Sequence, residues 1–299
     1  FDMWLFFQFA SIMCWAAVNV LDSLLVKHYQ KNPIVLGWSQ SWFTIIALAI
    51  IWFFFEVETS WALWLVLGGM VAYVGDLVFW KALALIDVSV TTIAWAILSV
   101  FLAIAGFVFF NESWSLPQAS GALLVIAGIV VLSLWQRSIG NFYALFLLPL
   151  LALLYVPFYV LQKAAIAAGQ PLLTAFFWPL LGREGLFFLL PWVVPSFRNA
   201  ILAYLPASKP SFYMLGGLVV LLFMAGIYLT TQAFANGPLS LVSIVSNVQP
   251  FCTIFMAWLM VSLVPRYAPR ELLTVQSVQV KIVSFVIVFV GLGLLAINY

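Results

Sequence analysis

Charge is the scarcest property of this sequence. Asp, Glu, Lys and Arg together make up only 7% of its 299 residues, against roughly 25% in soluble domains. The net charge is +2 and no basic run occurs, which argues against a nucleic-acid partner. Histidine occurs once, as His28 beside Lys27, and cysteine twice, as Cys14 and Cys252. That shortage removes a His/Cys metal centre. It also removes a Ser–His protease, which would want a Gly-x-Ser-x-Gly elbow that does not occur. No Gly-x-x-x-x-Gly-Lys phosphate loop is present, so uphill work by the chain must draw on an ion gradient rather than ATP. No cofactor and no enzymatic activity are expected. Both cysteines lie in apolar stretches and read as packing residues, silent on redox compartment.

What the sequence has instead is apolar length. Hydrophobic residues make up 66% of it, in runs of about 20, the length that crosses a bilayer. Ten runs are readable: 3–27, 33–55, 61–85, 88–110, 117–135, 142–167, 172–194, 211–235, 238–263 and 278–298. The expectation is an all-α integral membrane protein with ten transmembrane helices. Short connections leave no room for a soluble catalytic domain. The segment 264–277 is expected to lie along the membrane interface. The first run has no basic flank and carries Asn19 and Asp22, so it reads as a span rather than a signal peptide.

The stretch from Tyr73 to Leu132 is written twice. Two apolar helices meet at a turn near Asp87, the polar loop Asn111-Glu112-Ser113 follows, and then a third apolar helix. A shift of 151 positions lays Gly75 on Gly226, Ala82 on Ala233, Ala84 on Ala235 and Ser89 on Ser240, in phase through Ser99 and Pro250. Register is lost between Val264 and Ser277 and resumes at a larger shift, with Gly128 on Gly291. The chain thus divides into 1–137 and 138–299, five spans each. Many secondary transporters are built from two such halves around a central site.

Trp80 two places before Ala82-Leu83-Ala84, the small polar residues near Ser89, Glu112, and Gly121 to Gly128 resemble the EamA repeat. That repeat belongs to the drug/metabolite transporter superfamily, which includes bacterial amino-acid exporters. The resemblance covers nearly the whole chain. It departs from the family at Ser99, where proline is usual, and at Ser262-Leu263, which stand where the first copy has Glu112. It implies two inverted five-helix EamA-like repeats around a central cavity, in a bacterial inner membrane, moving an amino acid or similar metabolite outward as a monomer or homodimer.

Six spans carry one face that is too polar for lipid. In the first, Trp15, Asn19 and Asp22 share a face at i, i+4, i+7. The sixth repeats that geometry with Tyr155, Tyr159 and Gln162, 140 positions on. The third offers Tyr73, Asp76 and Trp80 and then Lys81; the fourth Thr91, Trp95 and Ser99; the eighth Tyr228 and Gln232; the ninth Ser243, Asn247 and Pro250. Folded as two inverted halves, these faces would line one cavity. Trp15, Trp80, Trp95, Tyr155, Tyr159 and Tyr228 would supply stacking and cation–π surface, and Asn19, Ser99, Gln232 and Asn247 orienting hydrogen bonds. The same groups could instead serve as interhelical packing.

The remaining spans read differently. The second starts at Pro33 and places Trp38 early, where an interfacial aromatic belt is expected. The seventh holds Arg183-Glu184 in mid-span, costly unless paired or wet. Neighbours on a helix point about 100° apart, so the two are not expected to face one cavity equally. Pro250 should bend the ninth span, and Pro149 and Pro157 the sixth. The small residues of the fifth and tenth spans, Gly121, Gly128, Gly291 and Gly293, suit close backbone contact, as scaffold or dimer surface.

An aromatic, weakly polar cavity suits a small amphipathic organic molecule. Only Lys81, Lys163 and Arg183 come near mid-membrane, too few to replace water around a phosphate. A flippase or carrier for a lipid-linked or phosphorylated metabolite is the alternative. An intramembrane aspartyl protease built on Asp22 and Asp76 is a remote one. For proton coupling, Asp22 and Asp76 are expected at similar depth near the Lys27 side. A neighbouring Lys81 or Lys27 would pin one of them as a strut, and Arg183 and Glu184 are further coupling or gating candidates. The loops that hold Lys27, Lys31, Arg137, Arg198, Lys209, Arg266 and Arg270 should face the cytoplasm, with both termini outside. Family resemblance implies termini inside.

Overall fold

A computed structural model describes residues 3–29, 32–83, 88–135, 142–204, 209–263 and 275–295, all of them helix or short connection. The helices are α1 (Met3–His28), α2 (Pro33–Phe54), α3 (Ala62–Leu83), α4 (Val88–Phe110), α5 (Leu116–Trp135), α6 (Phe142–Ala167), α7 (Leu172–Val193), α8 (Pro195–Tyr204), α9 (Pro210–Asn236), α10 (Leu239–Val245), α11 (Gln249–Leu263) and α12 (Val275–Leu295). Among the described residues seven stretches are long and apolar enough to cross a membrane. Three shorter apolar ones, Ala94–Phe110, Leu116–Gly128 and Ile282–Leu295, fall within expected spans four, five and ten. The segment 264–274, expected at the interface, and Lys31, Arg137, Arg266 and Arg270 lie outside the described residues.

Two features depart from the expected helices. The first is α8, expected as loop, which packs against α7 and α2 and buries Ile201. Its start is chemically clear: Pro195 stands in the first turn, where a missing N–H costs nothing, and no further proline follows until Pro206. The second is a break in the ninth span. A single 3₁₀ turn, Ser246–Val248, separates α10 from α11. Pro250 has no N–H to give the Ser246 carbonyl four residues back, and the Gln249 N–H takes that carbonyl instead, one residue short of the α pattern. Pro149 and Pro157, by contrast, leave α6 continuous.

Glycines decide which helices touch. A β-carbon on Gly69 would collide with the carbonyl oxygen of Pro179, and one on Gly182 with that of Val66, so α3 and α7 meet backbone to backbone. On α5 and α12, a β-carbon at Gly121 would lie 2.6 Å from the Gly291 carbonyl oxygen, and one at Gly291 2.7 Å from that of Gly121. This stripe is filled inside the chain, so of the expected scaffold and dimer roles it serves the first. α1 lies on α9 and α11, α2 on α7 and α9, α3 on α6 and α7, and α4 on α6 and α10.

The expected belt position of Trp38 is corrected. Its indole N–H donates to the Phe188 carbonyl of α7 at 3.1 Å, and its ring stacks on Phe188 at 6.3 Å. An indole with a partner on a neighbouring helix is held by packing, not by the headgroup region.

Candidate functional site

The close contact of α3 with α7 carries Asp76 up to Arg183. The Arg183 Nε donates to Asp76 Oδ2 at 2.8 Å and Nη2 to Oδ1 at 3.2 Å, a two-pronged pair inside membrane-spanning helices. The Tyr155 hydroxyl of α6 donates to Asp76 Oδ1. Glycine allows that too: a β-carbon on Gly75 would lie 2.9 Å from the Tyr155 ring. Below the guanidinium, the Phe223 ring of α9 lies 4.9 Å away, a cation–π contact. A paired, stacked arginine is what makes such a charge tolerable at this depth.

The expectation that Lys81 or Lys27 would pin an aspartate is corrected for Asp76. Lys81 is exposed. It stands five residues on from Asp76, about 140° round the helix at 100° per residue. The cation comes from α7 because Gly69 and Gly182 bring that helix in. The side chain of Lys27 lies outside the described residues.

Arg183 and Glu184 do join one cluster, contrary to the helical-wheel expectation. Glu184 Oε1 lies 3.4 Å from Arg183 Nη1. The long arginine side chain bends back to span the angular gap. Tyr73 packs its ring on Phe187 at 5.2 Å, and its buried hydroxyl has no hydrogen-bond partner.

An aromatic wall continues from Tyr155. Trp95 meets it edge-on at 5.2 Å, Tyr159 stacks at 6.5 Å, and Phe79 lies 6.0 Å from Trp95. Trp15 reaches the same neighbourhood through Phe223, at 5.3 Å. Ser99 and Asn247 turn toward each other: Asn247 Nδ2 donates to Ser99 Oγ at 2.8 Å, and the Ser99 hydroxyl faces the Ser243 carbonyl at 2.9 Å. Both are buried, and they tie α4 to the broken ninth span. On α9, Gln232 Nε2 donates to the Tyr228 hydroxyl at 3.1 Å, and Tyr228 meets Phe176 at 5.6 Å. Asn19 is exposed, 3.5 Å from Thr253 Oγ1. The backbone of Trp80 lies in α3, and its side chain, like that of Thr91, lies outside the described residues.

Asp22 and Asp76 have separate partners. Asp22 accepts from Gln40 Nε2 of α2 at 2.9 Å, while Asp76 is held by Arg183 and Tyr155. An aspartyl dyad must share a proton between two close carboxyls; an Asp76 saturated by arginine and tyrosine is not available for that, and the protease alternative falls.

Sequence reasoning missed three contributors. Phe223 sits on a wholly apolar stretch of α9 and gave no sign of its place under Arg183. Glu112, read only as a family residue, accepts from the Leu239 N–H at 2.6 Å, from the Ser240 N–H at 3.0 Å and from the Ser240 hydroxyl. Lys163 donates to the Phe234 and Gly237 carbonyls at 2.6 and 2.9 Å. The anion and the cation thereby hold the two sides of the α9–α10 turn.

Residues 2–134 match the EamA-like transporter family. The first half of the chain is therefore an EamA unit of the drug/metabolite transporter superfamily, and the protein is a multi-pass integral membrane protein of a family that transports small molecules. No curated protein matches the chain. A solved crystal structure of a protein shares 16% sequence identity over 98% of this chain and 96% of that one, with a TM-score of 0.71. A likeness at that identity shows the fold alone.

Proposed function

We propose that the protein is a secondary transporter that moves a small amphipathic organic metabolite, an amino acid or amine of possibly aromatic character, outward across a bacterial inner membrane by alternating access. Residues 1–137 and 138–299 form two inverted five-helix repeats around a central cavity. The observation that carries this reading is the charged cluster of Asp76, Arg183 and Glu184, walled by Trp95, Tyr155 and Tyr159, where α3 of the first half meets α6 and α7 of the second. The helix contacts also come in mates that a two-fold relation between the halves would generate: α1 on α9 with α3 on α6, α1 on α11 with α4 on α6, and α2 on α9 with α3 on α7. The 3₁₀ break beside Asn247 gives the ninth span the discontinuity found near transporter sites. A phosphorylated cargo would need unpaired cations, and Arg183 is already committed to Asp76.

The test is a thermal-shift and tryptophan-fluorescence screen of purified protein over amino acids, amines and nucleobases, followed by exchange in proteoliposomes. For a ligand that binds, Trp95→Ala and Tyr159→Ala are expected to weaken affinity by about 1 to 3 kcal/mol, through lost stacking on a desolvated ligand. Melting should change less than transport. Unchanged affinity in both variants would place the binding surface elsewhere.

The charge distribution supports a cytoplasmic face that includes Arg198 and Lys209, with Glu56, Glu58 and Glu112 outside. Single cysteines at Glu58 and Lys209 check this with an impermeant reagent. Labelling from outside is expected at 58. Labelling at 209 alone reverses the orientation.

A further inference from the structure

The cluster at the α3–α7 contact contains two carboxylates and one guanidinium. Asp76 takes both prongs of Arg183 and the hydroxyl of Tyr155, so its oxygens are filled by donors. Glu184 receives only the long 3.4 Å approach of Arg183 Nη1. The charges that act on Glu184 are those of Arg183 and Asp76, one attractive and one repulsive. A second full negative charge here would be buried with its only cation already shared, which costs several kcal/mol.

Two neighbours show how that charge is avoided. Ser41 of α2 forms a hydrogen bond with Glu184. Its single hydroxyl hydrogen, however, is given to the Gly37 carbonyl at 2.9 Å. The serine oxygen is left as an acceptor, and only a protonated carboxyl has a hydrogen to offer it. Tyr73, within electrostatic reach of both carboxylates, holds a buried hydroxyl without a partner. That hydroxyl is free to stabilise the carboxylate once the proton leaves.

We propose that Glu184 is the proton-binding site of this carrier, protonated in the resting state against Ser41 and releasing its proton when the site opens, while Asp76 and Arg183 remain a fixed ion pair. This deepens the transport reading and rests on it only for its use. The groups that face Glu184 and its pair are Tyr73 and Asp76 from α3, Arg183 from α7, Tyr155 and Tyr159 from α6, and Ser41 from α2. Release leaves a carboxylate on Glu184 and a proton in water, and the vacated negative charge is open to a cationic group of the cargo.

The experiment is infrared difference spectroscopy of the purified protein, without substrate, over a pH titration. The wild type is expected to show a protonated-carboxyl band that bleaches as pH rises. Glu184→Gln should abolish it. Tyr155→Phe, which removes a donor from Asp76 alone, should leave its position unchanged and keeps the test decisive if Glu184→Gln fails to fold. Absence of the band from the wild type, its persistence in Glu184→Gln, or its displacement in Tyr155→Phe would overturn the assignment. So would bleaching by sodium chloride but not by pH. In proteoliposomes Glu184→Gln should retain substrate exchange and lose accumulation driven by a pH gradient. If the band behaves as expected but no metabolite is moved, the transport reading fails and the proton site stands.

Discussion

Arg183→Met is expected to cost about 3 to 5 kcal/mol of stability, because it strands a buried carboxylate that loses both of its guanidinium bonds. Asp76 would keep only the Tyr155 hydroxyl as a described donor. Arg183→Lys should recover part of the loss, since it restores charge but neither the two-pronged fork nor the flat face over Phe223. The double variant Arg183→Met/Asp76→Met should regain most of it, because no charge is left unpaired and the volume stays filled. Unfolding of the purified protein by SDS in mixed micelles measures all three. If Arg183→Met unfolds with the wild type, the pair is not buried in the folded state, and the charged cluster cannot anchor α3 to α7.

Glu112→Ala should have the second-largest effect. Its carboxylate accepts from two backbone N–H groups and one hydroxyl at the start of α10, and a charged hydrogen bond of this kind contributes about 1.5 to 3 kcal/mol. Alanine leaves the Leu239 and Ser240 N–H groups without that acceptor and releases Ser240, which also accepts from the Trp114 indole at 2.9 Å. Glu112→Gln should lose less, as one amide oxygen still accepts while its NH₂ faces a donor. Hydrogen exchange across 236–241 should rise sharply in Glu112→Ala and modestly in Glu112→Gln. Exchange as slow as wild type in Glu112→Ala would mean that the turn is held by Lys163 and packing alone.

Low charge and long apolar runs by themselves determined that this chain lives in a membrane as helices, because a bilayer tolerates little else. The starts of α2 and α9 were legible for a local reason: Pro33 and Pro210 stand in first turns, and Asn32 caps α2. The polar faces of Asp76, Trp95, Tyr155 and Tyr159 were legible from helical spacing. Tertiary structure decided which of those faces meet. Lys81 and Arg183 were equal candidates along the chain, and only the bare backbone at Gly69 and Gly182 lets α7 approach closely enough for Arg183 to reach Asp76. Spacing along one helix fixes angle but not the neighbour, so the separation of Asp22 onto Gln40 and the shared site of Arg183 with Glu184 lay beyond it. The same holds for Phe223, whose role depends on a guanidinium from another helix, and for Glu112, which acts on a backbone 127 residues away. Contacts of that range depend on how the helices pack, and a sequence read one span at a time does not contain the packing.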